Sequence, residues 1–180
     1  SIHSCKDFIQ NEIAGNSASF SRIKRAIRAL EKYGVPWYSQ TSLIQANYLE
    51  LNQLHHFLAR CGSPTRMDLS RMVVGTHLPD QFLTEAEYTE VFKQIDRLNM
   101  EGLPVRIEAF PRCWLKQIAE EQGLNYPKLK AAVRPCYAWI GQISIDIHGN
   151  VRLCPTGGTI AGNILKEGFD GVWSKNRIIQ

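Results

Sequence analysis

Residues 35–74 read VPWYSQTSLIQANYLELNQLHHFLARCGSPTRMDLSRMVV, and the fold class turns on this stretch. Val35 to Ile44 is rich in the Val, Trp, Tyr, Thr and Ser that suit a strand, and Pro36 is tolerable there only near its beginning. Asn47 stands three residues before Glu50, the spacing of an N-cap and its capping-box partner, so a helix is expected to start at Asn47. Leu51, Leu54, Leu58 and Cys61 then recur at helical spacing, and Gly62 ends the run. Met67 to Val74 reads as a second strand. Strand, helix and strand in so short a span make a βα unit, which implies parallel strands and a right-handed crossover.

The same alternation extends both ways. Upstream, Ser19 precedes Phe20, Ile23, Ala26, Ile27 and Leu30 on one helical stripe, and Gly34 is the stop. The opposite face carries Arg22, Lys24, Arg25 and Arg28; a phosphate-binding patch is one reading, but a solvated face is expected. Downstream, Thr84 with Glu87 caps a helix that turns Tyr88, Val91, Phe92, Ile95 and Leu98 inward, and Val105 to Phe110 is a third strand. Three or four such units cannot close an eight-stranded barrel. An α/β fold with a partial, open βα barrel over residues 1–110 is therefore expected, its edge at Ser1 to Ser4 left unpaired.

After Phe110 the pattern changes. Pro111, Pro127 and Pro135 punctuate short helical pieces at 114–122 and 128–133. Gln142 to Ile147 then alternates Ile143, Ile145 and Ile147 with polar neighbours, His148-Gly149 turns, and Asn150 to Cys154 returns as the second arm of a β-hairpin. Residues 111–180 are expected to form a small appended α+β domain.

Hydrophobic residues make up 44% of the chain and charged residues 21%, which excludes a disordered or collagenous protein. The longest uncharged apolar stretches, Val35 to Tyr38 and Ala138 to Ile143, fall far short of the ~18 residues of a membrane span, so no membrane association is expected. Twenty-one Lys and Arg against seventeen Asp and Glu give +4, too mild a balance to argue by itself for nucleic acid, and no nucleic-acid partner is expected. The five cysteines are odd in number and widely spaced, unlike a disulfide framework, and a reducing, cytoplasmic setting is expected. The opening Ser1-Ile2-His3-Ser4-Cys5-Lys6 has neither an initiator Met nor the charged and apolar regions of a secretory signal, so a piece of a longer chain is expected.

The sharpest chemical feature is Cys136, twelve residues, Gly149, four residues and Cys154, spanning the hairpin. Thiols near the start and end of paired strands can approach one point, as two ligands of one metal must; two buried structural cysteines are the other reading. Cys113 and His148 are the nearby candidates for further ligands. His55-His56 lies within a helix and is expected at the surface rather than on a metal.

Taken in order, Ser1-Ile2, the run Ile13-Ala14-Gly15-Asn16-Ser17-Ala18-Ser19-Phe20 and the helix ending Leu30 to Pro36 resemble the middle of a radical SAM enzyme. Gln40 to Leu43 closed by Asn47, and the strand ending Val74-Gly75, continue the likeness. The tail, from Cys136-Tyr137-Ala138-Trp139 through Gly149-Asn150-Val151 and Leu153-Cys154-Pro155 to Gly162-Asn163-Ile164 and Gly171-Val172-Trp173, resembles the auxiliary-cluster extension called SPASM, or its shorter twitch form.

This resemblance implies a site for S-adenosylmethionine at the carboxyl ends of the strands, faced by Ser1 and by Thr41 or Ser42. It also implies an auxiliary 4Fe–4S cluster held by Cys136 and Cys154, which needs a ligand beyond the pair; Cys113 is the candidate third ligand. Tyr137, Trp139, Ile140 and Trp173 would wall such a cluster, or simply pack a core. The family's CxxxCxxC loop is nowhere in the sequence, His3-Ser4 stands where Asp-Gly is usual, and no cysteine follows Cys154. The expected function is thus the C-terminal portion of a radical SAM iron–sulfur oxidoreductase acting on a peptide or other bulky substrate, inactive alone and with no catalytic residue assigned. A non-catalytic metal- or partner-binding α/β module is the alternative.

Overall fold

The structure, a computed structural model, describes residues 1–71, 79–102, 104–108, 110–134, 143–152, 154 and 159–175. They fall into two compact units. The first carries α1 (Asp7–Ile13), α2 (Ser19–Lys32), β1 (Ser39–Leu43), α3 (Leu51–Cys61), β2 (Met67–Arg71), α4 (Glu85–Met100), β3 (Val105–Glu108), α5 (Arg112–Gln122), α6 (Tyr126–Ala132) and β4 (Val133–Arg134). Its strands are all parallel and lie in chain order, with Ser39 opposite Met67, Met67 opposite Val105 and Ile107 opposite Val133. The α/β class expected from the sequence is present, and the described strands do not close into a barrel.

Side-chain alternation splits this sheet into two unlike faces. Leu43, Met67, Leu69, Val105, Ile107 and Val133 point into one apolar core together with Leu51, Leu54 and Leu58 of α3, Val91, Phe92, Ile95 and Leu98 of α4, and Leu129 of α6. The residues between them are Gln40, Ser42, Asp68, Ser70, Arg106, Glu108 and Arg134. A parallel sheet is usually apolar on both faces because helices cover both. Here one face is packed and the other is polar.

α4 forms as its sequence requires: Thr84 Oγ1 accepts from the Glu87 amide while Glu87 Oε2 accepts from the Thr84 amide. All five of its expected inward residues are buried. α3 differs. It starts at Leu51, and Asn47 does not cap it; the Asn47 side chain closes a tight turn by accepting from the Ile44 amide and donating to the carbonyls of His3 and Ser42, each at 2.9 Å. The Leu51 amide is satisfied from α4 instead, by Gln94 Oε1 at 3.1 Å, and Gln94 Nε2 donates to the Tyr48 carbonyl at 2.8 Å. A tertiary contact has replaced the local cap, because Glu50 is drawn away to Ser4 Oγ and Lys6 Nζ.

β1 begins at Ser39 rather than Val35. The chain first leaves α2 through Gly34, whose φ of 63° lets the Val35 amide reach the Leu30 carbonyl, and Pro36 lacks a donor for the sheet. The Ser1 to Ser4 segment is tied to β1: the Ile2 amide donates to the Gln40 carbonyl and Thr41 Oγ1 donates to the Ile2 carbonyl.

The first unit also reaches beyond the boundary expected at Phe110. Phe110 packs against Tyr88, Phe92 and Trp114 with ring centroids 4.6–5.2 Å apart, Leu115 and Ile118 of α5 are fully buried, and β4 pairs with β3. Aromatic packing across α4 and α5 keeps 110–134 with the parallel sheet.

The second unit holds β5 (Ser144–Ile145), β6 (Asn150–Arg152), β7 (Ile160–Asn163) and α7 (Ile164–Lys175), the strands antiparallel in order β5-β6-β7. The expected hairpin is there, with Ile145 opposite Val151. Asp146 organises its turn, accepting from the amides of His148 and Asn150 and from Asn150 Nδ2. The Asn150 side chain above all holds the Asp146 carboxyl below the usual range; burial opposes it, and the amides of Asn150 and His148 and the nearby Arg152 charge add to the lowering. Gly149 is obligatory at that turn: its φ is 77°, and a Cβ would lie 2.6 Å from Leu165 Cγ. Among the described residues no helix is long and apolar enough to cross a membrane.

Candidate functional site

The polar face is organised by strand register. Ser42, Ser70, Glu108 and Arg134 stand opposite one another on four adjacent strands, one row at the carboxyl ends of the sheet. The row below runs Gln40, Asp68, Arg106. Neighbouring strands are about 4.8 Å apart, so the upper row spans roughly 15 Å. Ser42 Oγ and Ser70 Oγ are 3.4 Å apart.

Asp68 anchors the charges. Its side chain is only 4% exposed, Arg66 Nε donates to both its oxygens at 3.0 Å, and an Arg134 guanidinium nitrogen lies 3.9 Å from it. Burying a carboxylate is tolerable only with such partners. Arg134 also stands 3.7 Å from Glu108, and both side chains are about 40% exposed. These separations are ion pairs beyond hydrogen-bond reach, so the guanidinium keeps N–H donors for an anionic group and Glu108 can receive a cationic one. A ligand lying across the strands meets, in sequence, two hydroxyls, a carboxylate and a guanidinium. That suits a polar, zwitterionic or amide-rich molecule better than an apolar one.

His3 completes the carboxyl-end margin. The Ser42 amide donates to His3 Nδ1 at 3.2 Å, and burial, helped by the charge of the N-terminus, holds the imidazole pKa below 6.5. Beside it, Ser4 Oγ donates to Glu50, which also binds Lys6.

The expected cofactor residues separate. Ser42 is on the polar face at the carboxyl end. Thr41 is fully buried on the helix side with its hydroxyl committed to Ile2, so it serves the fold rather than a ligand. Ser1 lies toward the other end of β1, in a groove with Ile23, Ile27, Leu30, Trp37 and Gln40. His3, one turn of alternation further along, occupies the margin assigned to Ser1. Sequence reasoning also missed Asp68, Glu108 and Arg134; the polar–apolar alternation of MDLSR and VRIE was their signal.

Two of the three expected cluster ligands lie among the described residues, in different units. Cys113 is exposed on α5 of the first unit, Cys154 is half-buried after β6 in the second, and Cys136 lies outside the described residues, as do Tyr137, Trp139 and Ile140. The one group of three metal-type side chains among the described residues is His55, His56 and Glu101, their donor atoms within 4.8 Å of one another. His55 was expected at the surface; it is 4% exposed, because it falls on the same helical stripe as Leu51, Leu54 and Leu58. No model of a known protein family matches the chain, and no curated protein matches it either.

Proposed function

We propose that the chain is the C-terminal portion of a radical SAM oxidoreductase, an open arc of βα barrel whose polar face meets cofactor and substrate, the latter a peptide or another bulky molecule. The observation that carries the reading is the two-faced sheet. Strands in chain order under a single helix layer have the topology of a barrel arc, whereas a doubly wound fold reverses strand order and takes helices on both faces. Ligands of βα barrels sit at the carboxyl ends of the strands, where the Ser42-Ser70-Glu108-Arg134 row lies. The resemblance of the sequence to radical SAM enzymes supports the same assignment.

The chain's own residues bind and orient in this reading. Arg134 takes an anionic group, Glu108 a cationic one, and the two serines hydrogen-bond what lies between. Asp68 and Arg66 fix the base on which Arg134 rests. Chemistry on S-adenosylmethionine needs a three-cysteine loop, and no two cysteines here have that spacing.

The test is calorimetry of the chain with S-adenosylmethionine, alongside Arg134→Ala and Glu108→Gln, followed by anaerobic incubation with dithionite. Weak binding that both variants lose, with no 5′-deoxyadenosine above a no-protein control, is the expected result. Binding unchanged in both variants, or none to the parent chain, would overturn the site assignment. Production of 5′-deoxyadenosine would overturn the claim of incompleteness. The His55, His56 and Glu101 constellation favours a second reading, a non-catalytic metal-binding module. Zinc held by this constellation in a chain that does not bind S-adenosylmethionine would select it.

A further inference from the structure

We infer that His55, His56 and Glu101 form a binding site for a divalent transition metal of the zinc class, separate from the polar face of the sheet. The site follows from how α3 and α4 are aligned. The two helices run parallel in contact: Leu51 and Tyr48 are tied to Gln94, and further along the same pair His56 Nε2 reaches Glu101 Oε2 at 3.7 Å. That alignment brings the middle of α3 to the C-cap of α4. His55 is buried beside them, its ring 5.6 Å from that of His56 and nearly perpendicular to it at 86°.

Two imidazoles and a carboxylate are a donor set that zinc accepts, leaving one coordination position for water. Zinc–nitrogen and zinc–oxygen bonds of about 2.0–2.2 Å place tetrahedral donors roughly 3.4 Å apart. The present donors, within 4.8 Å of one another, must close by about an ångström or a little more. The movement falls on the side chains able to make it: His56 and Glu101 are 56% and 46% exposed, while His55 is held by the core. Electrostatics favours the same spot. Glu101 sits at the C-terminal end of α4, where the helix dipole is negative and basic groups rather than acids are stabilising. A bound cation would neutralise both charges at once.

The experiment titrates zinc calorimetrically into the full chain and into His56→Ala and Glu101→Gln, whose exposed positions leave folding intact. Cobalt is then substituted for zinc and its visible spectrum recorded. One zinc per chain, weakened about tenfold or more by each variant, and cobalt d–d bands without a thiolate charge-transfer band are expected. No zinc binding, binding unchanged in both variants, or a thiolate band that places the metal on cysteine would overturn the site. Each readout is independent of S-adenosylmethionine, so the failure of this site and the failure of the polar-face assignment are told apart.

Discussion

On one face of the parallel sheet, Leu43, Met67, Leu69 and Ile107 are fully buried under the helices; on the other, Ser42, Ser70, Glu108 and Arg134 are partly exposed and only Asp68 is buried. Both faces come from the same strands, alternating residue by residue. On the packed face Ser39 and Thr41 are buried polar residues, and the Thr41 hydroxyl is committed to the Ile2 carbonyl. Core packing and polar side chains therefore occupy alternate positions in β1, β2 and β3, and can be perturbed separately.

The comparison breaks first if neighbours on one strand behave alike. Leu69→Ala should destabilise the first unit by about 2–5 kcal/mol, since it leaves a cavity in the core, whereas Ser70→Ala should stay within about 0.5 kcal/mol. Chemical denaturation of both variants checks this; similar losses would mean that the polar face is also part of the core.

Asp68 is the sharper case, a buried acid on the polar side. Asp68→Asn should cost about 1–3 kcal/mol by denaturant midpoint, because Arg66 and Arg134 lose their charge partner but remain exposed enough to recover water. A neutral result would show that the acid serves only to position Arg134.

The smallest effect concerns pH. Burial holds His3 below its ordinary pKa of 6.5, so the unfolded chain takes up the proton first. Stability should fall as the pH drops through 6.5 toward the folded value, and stay level below it. His3→Gln, which keeps an acceptor for the Ser42 amide, should flatten that slope. An unchanged slope in the variant would assign the pH response elsewhere.

Local signals were the legible ones. Thr84 and Glu87 lie one helical turn apart and satisfy each other, so α4 could be placed from local sequence alone. Asn47 and Glu50 have the same spacing, yet their side chains go to His3 and to Ser4 with Lys6, partners more than forty residues away. Nothing local could reveal that competition. The polar row was present as alternation in each strand, but joining Ser42 to Arg134 required the register of four strands. His55 was misplaced because its polarity outweighed its position, four residues after Leu51 and three before Leu58. Cys113 and Cys154, linked by expectation, fell into different units once Phe110 packed with Tyr88, Phe92 and Trp114.

The bidentate use of Gln94 has a mechanical consequence. Its amide grips the Tyr48 carbonyl and the Leu51 amide from a helix more than forty residues later in the chain, so it works as a key between two shafts. α3 cannot slide or rotate along α4 without breaking both bonds. The turn held by Asn47, which borders the carboxyl end of β1, is thus coupled through Tyr48 to α4. A pull on that turn is transmitted to the helix layer as a displacement of α3 and α4 together, and one amide side chain adds a directional lock to the apolar packing between them.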